Sequence, residues 1–288
     1  MLPSRSAVRD ILRPARLPAR PPAGPHVPPP MLLLKLALVP ASILLASLAA
    51  RRFGHAISGV LSGLPLIAAP VIGGLLIDHG AARVAAIGSA TLASVPAAIA
   101  HIVAFSWLSR RLPWWACLAG AALAFAAIGW IVTAPAWPAP TLTGIAAPFV
   151  ALAIMPRVPP LAGGVPVPRG EIAMRVAAAV TLAAVILLGA DTLPARVSGL
   201  LLAFPITGSI LPSFTLPVYG RCATISLLRG FANGLIGFTA FFFALVTLLG
   251  RCESKAVAFF AALAAAVFAA WLVHRLRSAA ARRLMRTT

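Results

Sequence analysis

Ile57-Ser58-Gly59-Val60-Leu61-Ser62-Gly63-Leu64-Pro65 returns 140 residues later as Val197-Ser198-Gly199-Leu200-Leu201-Leu202-Ala203-Phe204-Pro205. Ser58 pairs with Ser198, Gly59 with Gly199, Leu61 with Leu201 and Pro65 with Pro205. Both copies lie inside long apolar stretches that glycine and proline interrupt. The same offset, carried outward without a gap, sets Lys35 on Arg175 and Gly80 on Gly220. The chain therefore reads as a duplicated unit with a period far too long for a solenoid.

The apolar stretches decide the class. Of 288 residues, 61% are hydrophobic and 10% charged, with a mean hydropathy of +0.99. A water-soluble domain must cover itself with polar groups and cannot accommodate this balance. The expectation is an all-α integral membrane protein. The net charge of +19 would point to nucleic acid in a soluble chain. Here arginines beside spans are a topology signal and meet anionic lipid head groups. No basic run carries interleaved aromatic residues, so no nucleic acid is expected.

Residues 1–30 stand apart. They hold Arg5, Arg9, Arg13, Arg16 and Arg20 and end in Pro28-Pro29-Pro30. They read as a disordered basic tail or as a segment that is not translated, Met31 being the start. Apolar runs of about 20 residues then place spans at about 31–50, 54–78, 84–108, 113–133, 139–156, 172–190, 197–219, 224–249 and 256–274. The organisation is a four-helix repeat over 31–133, a connecting span with a Pro/Gly-rich linker over 134–171, a second four-helix repeat over 172–274, and a basic cytoplasmic tail over 275–288.

The fifth span decides topology. If it crosses, the second unit starts on the opposite face and the repeats are inverted. Lys and Arg gather on the cytoplasmic side. Counted from residue 31, nine spans put 14 basic residues on one face and 5 on the other, whereas eight spans give 12 and 7. The sharper split favours about nine transmembrane helices as a 4+1+4 inverted-topology repeat, carboxyl terminus in the cytoplasm.

Met31-Leu32-Leu33-Leu34-Lys35, a first helix, then Ser58-Gly59, Leu64-Pro65 and a helix closing in Asp78-His79-Gly80 resemble the GlpM-like family of small bacterial inner-membrane proteins. Those proteins are about one four-span unit long. Here the unit looks duplicated and fused, and the second copy keeps Gly199, Phe204-Pro205 and Gly220-Arg221. The resemblance implies a bacterial inner-membrane location. It carries over no reaction, substrate or catalytic residue, and the fifth span and the fusion depart from it.

Paired Gly/Pro-broken helices in inverted halves are where transporters build their sites, because the break frees backbone groups at membrane depth. The candidate path residues are Ser58, Gly59, Ser62 and Pro65 in the second span, and Ser198, Gly199, Pro205, Thr207 and Ser209 in the seventh. Arg229 and Asn233 join them, lying four apart on one face of the eighth span. A charge within a span is a functional candidate, though Arg229 is close enough to the cytoplasmic end to snorkel. The competing reading is that the small residues let helices approach and the hydroxyls bond their own backbone.

Chemistry of other kinds finds little support. The acids Asp10, Asp78, Glu171, Asp191 and Glu253 all lie outside mid-span positions. His55, His79, His101 and His274 are scattered singly, and Cys117, Cys222 and Cys252 form no CxxC pair. Paired carboxylates, HExxH, GxSxG and a P-loop are absent from the sequence. The expectation is no enzyme, no cofactor and no metal. Two functions remain. One is an inner-membrane transporter or permease-like protein, taking a small molecule or a lipid at a site between the two broken helices. The other is a non-transporting scaffold or accessory subunit for envelope assembly, with a membrane protein as partner.

Overall fold

The computed structural model describes residues 59–134, 139–158, 169–189 and 191–287, together with Ala37, Ala41 and Ile57 as isolated helical positions. The basic segment 1–30, nearly all of the expected first span, Ser58 and the linker at 159–168 lie outside the described residues. Among those described there is no strand. A helical stretch at residues 59–63 leads to α1 (Ala68–Asp78), α2 (Ala81–Leu108), α3 (Trp114–Val132) and α4 (Pro140–Ile154). Then follow α5 (Arg169–Leu188), α6 (Ala195–Ala203), α7 (Ile206–Leu249) and α8 (Lys255–Thr287).

Five helical stretches are long and apolar enough to cross a membrane: Gly59–Asp78, Ala81–Leu108, Trp114–Val132, Ala195–Leu249 and Lys255–Val273. The architecture is all-helical and compatible with a membrane-embedded protein. Trp130, Leu123 and Phe260 are 83%, 71% and 67% exposed, a surface that suits lipid better than water. The central elements are α2 and α7. In α2, 61% of the most apolar stretch is buried, against 28% in α3 and 17% in α8, so the last two form the outer wall.

Helix boundaries follow the local chemistry. Pro113 caps α3 and Pro140 opens α4, where a missing N–H costs nothing. The 55-residue stretch Ala195–Leu249 is not one rod. It breaks at Phe204-Pro205, and again at Gly220, whose φ of 77° and ψ of −173° lie where a side chain is disfavoured. Shifting 140 residues back, the same two breaks fall at Leu64-Pro65 and at Gly80, between α1 and α2.

Two boundaries differ from the sequence expectation. The fifth apolar element, expected over 139–156, is the 15-residue helix α4, about 22 Å long at 1.5 Å per residue. That is shorter than a bilayer core of about 30 Å. The basic segment from residue 275, read as a tail, continues α8 through Thr287. Its Ala, Arg and Leu are strong helix formers, and it contains neither Gly nor Pro to stop the helix.

Polar contacts between elements gather into two clusters. In one, His79 Nε2 lies 3.3 Å from Asp191 Oδ1, and the Arg83 guanidinium donates to the Leu193 carbonyl at 2.6 Å. Lys255 Nζ donates to the carbonyls of Leu76 and His79 at 2.6 and 3.1 Å. In the other, Trp107 Nε1 donates to the Ile154 carbonyl at 3.2 Å. Arg229 Nη1 donates to the carbonyls of Met155 at 3.0 Å and Pro156 at 3.4 Å.

Candidate functional site

The backbone at the two breaks makes the same turn. In a continuous helix Leu66 N would donate to Ser62 O. With the chain deflected at Leu64-Pro65 it donates to Leu64 O instead, at 2.7 Å. At the second break Ile206 N likewise turns to Phe204 O, at 2.9 Å. Each turn leaves a carbonyl, Ser62 or Leu202, without its helical donor. The Ser62 carbonyl is recovered from the other half of the chain, by Thr207 Oγ1 at 3.0 Å. That hydrogen bond ties the two breaks face to face.

A cavity of about 50 Å³ lies between them, room for a few water molecules. One wall is Ser62 to Leu64 and Leu66 to Ala68, the facing wall Leu202 to Thr207, and Leu182, Phe231, Leu235 and Phe238 close it. The carbon side chains supply most of the lining. The polar atoms come from the Ser62 and Thr207 hydroxyls and from backbone groups at the helix starts. Among the described residues, the amides of Ile67, Ala68, Thr207 and Gly208 donate to no backbone carbonyl.

The motif glycines do a different job. A Cβ on Gly59 would stand 2.8 Å from Phe231 N and 3.0 Å from Gly230 Cα. On Gly199 it would stand 2.5 Å from Ala90 Cβ and 2.6 Å from Thr91 N. Gly230 and Phe231 are Ala90 and Thr91 shifted by 140 residues. Each motif helix therefore packs against the same face of the other half's long central helix. Gly63 and Gly234 extend the first contact, with Gly63 Cα 2.7 Å from where a Cβ of Gly234 would lie. Close backbone approach of this kind is how small residues hold helices together in lipid.

The remaining candidates scatter around this core. Ser62, Pro205 and Thr207 line the cavity. Pro65 is buried at the break, its carbonyl accepting from Ala69 N at 2.7 Å. Ser209 sits one turn behind, its hydroxyl 3.0 Å from both the Pro205 carbonyl and His101 Nε2. Ser198 is fully buried, and its Oγ has no hydrogen-bond partner among the described residues. Ser58 is outside the described residues. Arg229 and Asn233 do not line the cavity. Arg229 covers the carbonyls that end α4, where a cation suits the negative end of the helix, and Asn233 Oδ1 is buried without a partner.

Sequence reasoning passed over Phe204, Leu182, Phe231, Leu235 and Phe238, which the cavity uses. Their signal is only that they fall one or two turns from the glycines that touch the motif. It also set His101 aside as a lone histidine. His101 is fully buried on α2, bonded to Ser209 of α7 and met edge-on by the Phe204 ring at 5.9 Å. Its Nδ1 approaches the Ala121 backbone outside hydrogen-bond geometry. Most other buried hydroxyls turn back on their own helices: Thr91, Ser94, Ser213, Thr215 and Thr224 each donate four residues back. Among the described residues no group of His, Cys, Asp and Glu could hold a metal ion. No family model, curated protein or solved structure matches the chain.

Proposed function

We propose that this protein is a permease-like carrier of the bacterial inner membrane whose substrate site is the cavity between the two broken helices. The observation that carries this reading is the cavity's position. The duplicated motif ends at Pro65 and Pro205, and the two ends face each other across one cavity and share the Thr207–Ser62 hydrogen bond. Two equivalent discontinuous helices meeting at a cavity is the arrangement that alternating access exploits.

In the same reading the chain has about nine spans in a 4+1+4 inverted repeat, built from a duplicated GlpM-like unit with the carboxyl terminus in the cytoplasm. The polar clusters support the inversion. His79, after α1, meets Asp191, before α6, so equivalent helices present opposite ends to one side. Arg229, assigned to the cytoplasmic face by charge count, meets the end of α4, in keeping with a fifth element that reaches that face. The other basic residues at this face would meet anionic lipid head groups.

The test is accessibility of single cysteines, placed along Gly59–Pro70 and Gly199–Pro212 after replacement of Cys117, Cys222 and Cys252, to a membrane-impermeant thiol reagent added from each side. Labelling deep in both segments is expected. Protection beyond the first turn of both would sink the carrier. The backbone contacts of Gly59, Gly63 and Gly199 favour a second reading in that case, a rigid scaffold for a membrane protein partner.

A further inference from the structure

The hydrogen-bonding sense of the cavity limits what it can hold. Its one deflected carbonyl within reach, that of Ser62, already accepts from Thr207. The Ser62 hydroxyl lines the same cavity and forms no hydrogen bond among the described residues. The amides of Ile67 and Ala68 on one wall, and of Thr207 and Gly208 on the other, donate to no backbone carbonyl. The site is thus rich in donors and short of free acceptors. A ligand must bring acceptor oxygen, and an ammonium group, which only donates, has nothing to bond.

Charge is the second limit. The starts of α1 and α7 each bring about half a positive charge, which favours an oxygen and disfavours a cation. A full anion would still leave water for walls made of Leu64, Leu66, Leu202, Phe204, Phe231 and Phe238. Among the described residues no ionisable side chain lines the cavity to pair with it, and a charge in apolar surroundings is stable only when paired. Size is the third limit, since about 50 Å³ admits a body of only a few non-hydrogen atoms.

We infer that the substrate class of this site is a small uncharged solute with a hydrogen-bond-accepting oxygen and an apolar part, an amide or alcohol rather than a carboxylate or an amine. This rests on the carrier reading above. Acetamide, acetate and ethylammonium probe it, being close in size and differing in charge. The reporter is Leu64→Cys, or Leu202→Cys if the first variant does not fold, in the full-length protein without its native cysteines and reconstituted in vesicles. The readout is the rate of alkylation by a small thiol reagent.

Acetamide is expected to slow alkylation about fivefold or more, a free-energy difference of about 1 kcal/mol. Acetate and ethylammonium are expected to leave the rate unchanged, and Ser62→Ala to remove the acetamide effect. Protection by acetate or ethylammonium equal to that by acetamide overturns the inference and leaves the carrier standing. Absence of protection by acetamide overturns it as well. A reporter that no reagent reaches from either side removes the carrier reading and this inference together.

Discussion

The break at Leu64-Pro65 and the break at Phe204-Pro205 share a backbone turn and differ in what completes it. At the first, Pro65 O accepts from a backbone amide, Ala69 N, at 2.7 Å. At the second, the equivalent Pro205 O accepts from a side chain, Ser209 Oγ, at 3.0 Å. Thr207 reaches across to Ser62 O, whereas its counterpart in the first half is Ile67, which has no hydroxyl to return the bond. The lesson is that duplication preserved the turn, while side chains in the second copy took over part of the hydrogen bonding. That copy also carries the aromatic gate-post Phe204, packed edge-on against His101 and Phe125, where the first has Leu64.

The largest test of this comparison lies in the motif glycines. Gly63→Ala places a Cβ 2.9 Å from Gly234 Cα and 3.0 Å from Leu235 N, backbone atoms that cannot swing aside. We expect a loss of about 1–3 kcal/mol, read by thermal unfolding in detergent. Gly199→Ala should match it from the other half, and Gly73→Ala, whose nearest neighbour is the Phe259 ring at 3.5 Å, should cost little. Equal tolerance at all three positions would break the reciprocal packing.

The paired turn glycines come next. Gly220 has φ of 77°, whereas Gly80 has φ of −68°, and neither has an atom within 4 Å of a built Cβ. Gly220→Ala should therefore cost about 1–2 kcal/mol through backbone strain alone, and Gly80→Ala markedly less. A proteolysis or melting comparison of the two variants separates conformation from packing, because packing is open at both sites.

A smaller effect attaches to the bond across the cavity. Thr207→Val keeps the shape and removes the donor to Ser62 O, with an expected loss of about 1 kcal/mol in the same unfolding assay. Smallest of all is the symmetrising change Ile67→Thr. It offers a hydroxyl at the position equivalent to Thr207, and stability should stay within about 0.5 kcal/mol of the parent, gain and burial nearly cancelling. A substantial loss there would mean that the first break cannot accept the chemistry of the second.

The membrane class and the 140-residue repeat were legible because composition and spacing are properties of the chain itself. So were the two break positions, since proline and glycine act locally on the backbone. Which candidates meet was not legible. Gly59 and Pro65 are both motif residues, yet one is clamped on Gly230 and the other bends the helix beside the cavity. Arg229 looked like a ligand for an anion and instead holds the Met155 carbonyl 74 residues away. A hydroxyl in an apolar helix reads the same whether it bonds four residues back, as Ser213 does, or across the fold, as Thr207 does. The sequence by itself determined an apolar, twofold-repeated helical chain with a break in each copy, because hydropathy and backbone preference are set residue by residue. Only the tertiary structure decided that the two breaks share a cavity and a hydrogen bond, because that depends on which helices lie side by side, and contact distance is not written in sequence distance.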